Sequence, residues 1–292
     1  MPNPAVVIYV NQLNAKARRY AQSYQQFFAR RGESIVVIES SVNRDADHQG
    51  LLAALADAQE CVVIGGDGSV NIAVNALIAS HRTHSVPLSV VGVGTGNDFA
   101  RDHDLHDWRW RMQGQPKSHW EAVGCVYIHD QTRQFVKSVG TGLCVDVMGL
   151  QPKWLKYQFG GLSYFIALLR YLFSPQDQRR YIQRCGRPDL GQFVALGRYI
   201  GGGFKVFPSA DRKRAQFCGI YIPKLSRWQQ LIALARVLQG RLNKAPQVEV
   251  QYGETMTIGA AEQPLELDGD IYFCGPAKVA VIHAAIQVNQ VN

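Results

Sequence analysis

Two rhythms of apolar positions alternate over the first part of the chain. Residues 6–10, 35–38, 61–64 and 87–93 are unbroken runs dominated by valine and isoleucine, as expected of strands buried on both faces. Between the first two, Ala17, Tyr20, Ala21, Tyr24, Phe27 and Phe28 recur every three or four positions, with Arg18, Arg19, Gln22, Gln25 and Gln26 opposite them. That spacing predicts an amphipathic helix closed by Gly32. A further helix is expected around 50–58, and Val70, Ala73, Val74, Leu77 and Ile78 trace another. Strands alternating with helices predict a parallel sheet covered on both sides, an α/β domain over residues 1–125.

The rhythm then changes. Segments 123–128, 135–139, 180–185, 192–200, 217–222, 248–252, 255–258, 265–267 and 277–286 read as strands joined by turns. Only two helical patches interrupt them, 153–173 and 225–239. Few crossover helices imply antiparallel pairing. The expected fold is therefore an N-terminal parallel-sheet α/β domain followed by a mostly antiparallel β-sandwich domain over 126–292, whose last strand is free to return to the first domain.

Composition narrows the classes. With 47% hydrophobic and 18% charged residues among 292, the chain is neither a disordered polyelectrolyte nor a membrane bundle. The longest apolar stretch, 162–173, is too short to span a bilayer and carries Arg170. No basic region leads into an apolar run at the start, so no signal peptide is read and a cytoplasmic location is expected. A net charge of +8 favours anionic partners. Six scattered cysteines form no Cys-x-x-Cys pair, which argues for reduced thiols rather than a zinc ribbon or disulfide framework. The pairs His81/His84 and His103/His106 sit in polar stretches and read as surface residues, not metal ligands.

The candidate chemistry lies in two glycine-rich turns, each leaving the carboxyl end of a parallel strand. One is Gly65-Gly66-Asp67-Gly68-Ser69, the other Gly92-Val93-Gly94-Thr95-Gly96-Asn97-Asp98. Glycine lets backbone N–H groups approach an anion, and a following helix adds positive partial charge. Ligands of open α/β sheets bind at this edge. Ordinary strand-to-helix turns explain either segment alone, but an aspartate beside the glycines in both does not belong to a purely structural turn. Beside phosphate a carboxylate repels unless it holds Mg²⁺ or takes a proton, which points to phosphoryl transfer. No Gly-x-x-x-x-Gly-Lys-Ser/Thr exists, the dinucleotide fingerprint fails at Asn97, and no Gly-x-Ser-x-Gly elbow is present. Far downstream, Asp268-Gly269-Asp270 followed by Ile271-Tyr272-Phe273 reads on its own as a hairpin turn.

Together these pieces resemble the diacylglycerol kinase catalytic-domain family, in its bacterial soluble lipid kinase branch. Gly65–Ser69 is similar to the family's Gly-Gly-Asp-Gly-Thr, and residues 92–101 to its Pro-x-Gly-Thr-x-Asn-Asp-Phe-Ala-Arg. Residues 140–146 look like its Gly-x-Gly-x-x-x-Asp strand, 201–210 like its Gly-Gly-Gly…Pro-x-Ala stretch, and Asp268-Gly269-Asp270 like its Asp-Gly-Glu. The resemblance implies a nucleotide-binding first domain and a lipid-substrate second domain. ATP and Mg²⁺ are then expected around Ser40, Gly65, Gly66, Asp67, Gly68, Ser69, Asn71, Gly94, Thr95, Asn97 and Asp98. Asp67 and Asp98 become the metal ligands, Asp67 and Asp268 the catalytic carboxylates, with Asp268 as general base on a lipid hydroxyl such as that of diacylglycerol. The chain departs from the pattern at Gln12, Ile72, Gly92 and Asp270, and it carries Arg212-Lys213-Arg214 where the family has Asp-Asp-Gly. A non-catalytic nucleotide- or lipid-binding relative and an NAD kinase-like enzyme are the rival readings.

Among partners, a lipid presented at a membrane surface is expected, and nucleic acid is not. The apolar patch 159–173 reads first as a buried core helix and second as the lining of an acyl-chain cleft. Arg179-Arg180 and residues 212–214 are candidate contacts to anionic lipid.

Overall fold

The computed structural model describes residues 5–128, 131–151, 162–173, 189–260, 263–273 and 276–291. The chain forms two compact units, one made of Met1–Val123 with His283–Asn292 and the other of Gly124–Ile282.

The first unit runs β1 (Ala5–Val10), α1 (Ala15–Arg30), β2 (Ser34–Glu39), α2 (Arg44–Ala54), β3 (Ala58–Gly65), α3 (Asp67–Ala79), β4 (Leu88–Gly92) and α4 (Asp98–Asp102), then enters β5 (Lys117–Ile128). The strands β2-β1-β3-β4 pair in parallel in that order. The end of β14 (Ala277–Gln290) joins β4 through the Val288–Leu88 pairing. Every residue of β1 is buried, and α1 lays Ala17, Ala21, Tyr24 and Phe28 on Val6, Ile8 and Ile64. Asn14 caps α1, its side chain accepting from the Lys16 and Ala17 amides.

The expected helix at 50–58 starts earlier and ends sooner. Asn43 accepts from the Asp45 and Ala46 amides, an N-cap that the polar first turn hid from the apolar pattern. The last residues of that segment belong to a 3₁₀ turn and to β3. Near the start of β3, Glu60 is buried with Arg111, which donates to both its oxygens at 2.7 Å. Ser89 and Asn289 also donate to Glu60, at 2.5 and 3.3 Å. This network lies at the opposite end of β3 from Gly65.

In the second unit the described chain forms β6 (Gln131–Phe135), β7 (Ser138–Thr141), α5 (Leu143–Gly149), α6 (Leu162–Phe173), β8 (Asp189–Ala195), β9 (Phe217–Pro223), α7 (Arg227–Leu238), β10 (Glu249–Gly253), β11 (Thr255–Ile258), β12 (Pro264–Leu267) and β13 (Asp270–Phe273). An antiparallel sheet runs β10-β9-β8-β7-β12-β13. Val126, Phe135, Ile258 and Val279 from β5, β6, β11 and β14 share one core with Val139, Val194, Phe217 and Leu265 of that sheet. This is the sandwich expected from the strand-rich pattern.

Several boundaries differ from the sequence reading. The segment 135–139 breaks between β6 and β7, and 140–146 is a strand end followed by α5 rather than one strand. Gly142 makes that turn at φ 71°. The run 192–200 is strand only to Ala195. The expected strand at 180–185, the patch 153–161 and Arg179-Arg180 lie outside the described residues. Helix α6 is not a buried core helix: Ser163, Ala167 and Tyr171 face inward, Phe165, Ile166, Leu168, Leu169 and Leu172 are half-buried, and Phe173 is 71% exposed.

Candidate functional site

At the carboxyl edge of the first unit's parallel sheet, β3 and β4 end in register, Gly65 beside Gly92. The Val93 N–H donates to the Gly65 carbonyl at 2.8 Å. Beyond this pair the two glycine turns touch backbone to backbone. A Cβ on Gly94 would lie 2.5 Å from the Gly66 Cα, and one on Gly66 would lie 3.0 Å from the Gly94 Cα. Neither backbone atom is free to yield, so glycine is required at both positions. Gly65 makes room for the Ser69 hydroxyl, which a Cβ would approach to 2.5 Å.

The helix after the first turn starts at Asp67, not near Val70, with Gly66 as its N-cap. Asp67, Gly68 and Ser69 are therefore the first turn of α3; the Ser69 N–H donates to the Gly66 carbonyl at 3.0 Å, and the two amides ahead of it precede the helix's own acceptors. Gly68 differs from its neighbours. It is exposed, and a Cβ built on it meets nothing within 4 Å. Alanine in a helix is about 1 kcal/mol better than glycine, so the fold itself gives no reason for this glycine.

The second turn is held from within. Asn97 adopts φ 54°, and its side-chain oxygen accepts from the Gly94 N–H at 2.5 Å. The Arg101 Nε donates to the Gly96 carbonyl at 3.0 Å. Asp67 Oδ1 accepts from the Phe99 N–H at 2.9 Å, tying α3 to α4. Asp67 is half-buried, whereas Asp98 is 1% exposed. The two expected metal ligands thus differ in exposure. A half-buried carboxylate at a helix N-terminus fits an ion that keeps most of its waters and takes one or two carboxylates with phosphate oxygens. Asp98 sits in α4's first turn.

Ser40 follows β2 and accepts from the Gln12 N–H at 3.1 Å. The Asn71 side-chain oxygen accepts from Arg44 Nη2 at 3.4 Å. Thr95 is half-buried in the second turn. The sequence reading missed Arg44, which brings a guanidinium to Asn71, and Asn14, whose Nδ2 donates to the Val93 carbonyl at 2.5 Å. The Asn43 cap was the available signal for Arg44.

Within the second unit, Asp268 and Gly269 are the two turn residues between β12 and β13, both at positive φ (48° and 102°), with Leu267 paired to Asp270. This is the hairpin that Asp-Gly signals. The Asp268 carboxylate turns inward. Oδ2 accepts from the Val136 N–H at 2.7 Å, and Oδ1 from the Lys137 and Ser138 amides at 2.9 and 3.1 Å. It is 6% exposed. The carboxylate spans the break between β6 and β7. The expected general base is thus held in place by the 136–138 amides of its own unit.

Glu266, which the sequence reading also passed over, is buried beside this turn. Its Oε1 accepts from the Gly269 N–H at 2.6 Å, and its Oε2 has no hydrogen-bond partner. Burial pushes its carboxyl up to about 7; Asp268 and Asp270 add to the rise, and Lys137 opposes it. Arg212 is not a solvated charge, since its Nη2 donates to the Val136 carbonyl at 2.6 Å. Arg214 lies 3.4 Å from Asp211.

Comparison with known proteins adds the following. The diacylglycerol kinase catalytic domain matches residues 4–131, and the YegS C-terminal NAD kinase beta sandwich-like domain matches 138–290. A diacylglycerol kinase of Mycobacterium tuberculosis (strain ATCC 25618 / H37Rv) is 24% identical, over 88% of this chain and 85% of the relative. One from Bacillus subtilis (strain 168) is 24% identical, over 84% and 82%. A crystal structure of a diacylglycerol kinase from Bacillus anthracis str. Sterne superposes with a TM-score of 0.71 at 13% identity, covering 99% of this chain and 97% of that one.

Proposed function

The chain belongs to the diacylglycerol kinase catalytic-domain family, and we propose that it transfers the γ-phosphate of ATP to the hydroxyl of a lipid such as diacylglycerol. The observation that carries this reading is the backbone contact between Gly66 and Gly94, which joins two glycine turns at the sheet edge where α3 begins. Phosphoryl transfer asks a protein mainly to position the phosphates and neutralise their charge. The leading amides of α3 offer donors for phosphate oxygens. Thr95, Ser69 and Ser40 offer hydroxyls, and Arg44 a positive charge.

Asp67 is the carboxylate we assign to the transfer site, fixed in orientation by the Phe99 N–H. Mg²⁺, when bound with ATP, would be held through Asp67 and would offset charge on the phosphates. The Gly94 N–H holds the side chain of Asn97, the left-handed residue of the second turn, and Asp98 is buried in α4's first turn. The open space beside Gly68 supports the same reading, because a missing side chain there leaves α3's first turn approachable. A lipid acceptor is supported by α6, which leaves its apolar side half-buried and Phe173 exposed. No described helix is long and apolar enough to cross a membrane, so we propose that the lipid is met at a membrane surface.

The test uses the full chain with ATP labelled on the γ-phosphate, Mg²⁺ and mixed micelles of diacylglycerol. Labelled phosphatidic acid is expected, and Asp67→Asn should remove it. ATP binding without transfer to any lipid of a total extract would overturn the proposal in favour of a non-catalytic binding protein. Label appearing in NADP when NAD is supplied would favour an NAD kinase-like enzyme.

A further inference from the structure

His103 is not the surface residue its polar surroundings suggest. It caps the C-terminus of α4, 7% exposed, with its ring folded back under the helix. Its Nδ1 lies 2.7 Å from the Phe99 carbonyl oxygen. A carbonyl only accepts, so Nδ1 carries a hydrogen, and the lone pair of the neutral ring sits on Nε2. That Nε2 is in direct contact with Glu121 Oε1, itself an acceptor. A second imidazole converges on the same oxygen: His119 Nε2 lies 2.8 Å from Glu121 Oε1. Three ligand atoms thus fall within 4.8 Å of one another.

Two acceptors in contact inside a protein need either a proton or a metal ion between them. Anchoring Nδ1–H on a backbone carbonyl is how metal-binding histidines present Nε2 to an ion. We propose that His103, His119 and Glu121 hold a divalent first-row transition ion of the Zn²⁺ class. Two imidazoles and a carboxylate suit such an ion, with three protein ligands leaving one position for water. A tetrahedral ion with bonds of about 2.0–2.1 Å keeps its ligand atoms roughly 3.3 Å apart. Both imidazole nitrogens would therefore draw back from Glu121 Oε1, His119 Nε2 by about half an ångström and His103 Nε2 by more, through side-chain adjustment. His119 is half-buried and gives the ion its way in. The ion would tie β5 to the C-terminus of α4, the helix whose other end carries Asn97 and Asp98 of the second glycine turn. This role is structural and does not depend on which substrate the protein phosphorylates.

The full chain is stripped with a chelator and titrated with Zn²⁺ by calorimetry, and bound metal is counted by mass spectrometry. One Zn²⁺ held by these three residues is expected, together with a rise in Tm on adding the metal. His119→Ala and Glu121→Gln should each weaken that site by about tenfold or more and remove the Tm response. His119 is preferred because its side chain is only partly buried, so the variant keeps its fold. Co²⁺ in place of Zn²⁺ should give the visible absorption of a tetrahedral site in the wild type and lose it in both variants. The proposal is overturned if no stoichiometric Zn²⁺ binds. It is overturned equally if binding and Tm response are unchanged in both variants, in which case a proton on His103 occupies the contact and the metal sits on surface histidines.

Discussion

Replacing Asp268 separates a clamp from a catalyst. In Asp268→Asn the left-handed turn is kept, because asparagine tolerates that conformation. One carbonyl oxygen can still receive the Lys137 and Ser138 amides, but the new NH₂ group meets the Val136 N–H, donor against donor. Losing one hydrogen bond to a charged acceptor costs about 1.5–3 kcal/mol. For a unit of this size that lowers Tm by roughly 3–12 °C. Asp268→Ala gives up all three acceptors and adds about 1 kcal/mol for a left-handed alanine. With each bond at the low end of that range, the expected loss is about 5.5 kcal/mol, with a Tm drop of roughly 11–22 °C. Thermal unfolding by circular dichroism is measured beside turnover at a temperature well below both transitions. The account expects turnover in Asp268→Asn to fall only in step with the folded fraction. A variant that keeps its Tm yet loses turnover by about 10²–10⁴-fold, as removal of a general base does, would refute the clamp and return Asp268 to the chemistry.

Three further outcomes follow from the same structure. Glu266 is pushed up to about 7 by burial, so the folded state holds its proton where the unfolded chain, at about 4.3, has lost it. Stability should decline as pH rises from about 4.5 to 7, by on the order of 3 kcal/mol, and Glu266→Gln should flatten that window in pH-dependent unfolding; an unchanged slope would discard this assignment. Glu60→Gln should strip the buried Arg111 of its charge partner at a cost of about 3–5 kcal/mol, lowering Tm while ATP affinity of the folded protein stays as it was; an unshifted Tm would contradict the buried pair. Gly94→Ala should drive the two glycine turns apart and weaken Mg·ATP binding at least about tenfold, a loss of some 1.4 kcal/mol; calorimetry showing native affinity would contradict the close backbone contact.

The alternation of strand and helix was legible in the first unit because strands buried on both faces leave continuous apolar runs, and α1 leaves a clean stripe. Helix α2 was misplaced because its start is written in a cap, Asn43, and a polar turn. The antiparallel second half was legible as a class but not in its breaks. Capture of the 136–138 amides by Asp268, which lies more than a hundred positions away, interrupts a segment that reads locally as one strand. The same long-range pairing holds the aspartate of a recognisable motif on three amides that the motif itself does not announce. The paired glycine turns were visible as candidates, but their need for glycine at 66 and 94 is a contact between two chains of residues that only folding brings together. His103 was misread for a similar reason: its polar neighbours are exposed, while the residues that bury it and face it, Phe99 and Glu121, sit on α4 and β5.

Gly68, exposed and with open space beside it, shapes α3's first turn for the anionic ligand proposed above and not for the fold. Gly68→Ala tests it, with Tm and Mg·ATP affinity measured on the same preparation. The expected result is an unchanged or higher Tm, since alanine is about 1 kcal/mol better in a helix, together with a loss of ATP affinity of tenfold or about that. An equally stable variant that binds Mg·ATP as the wild type does would contradict it.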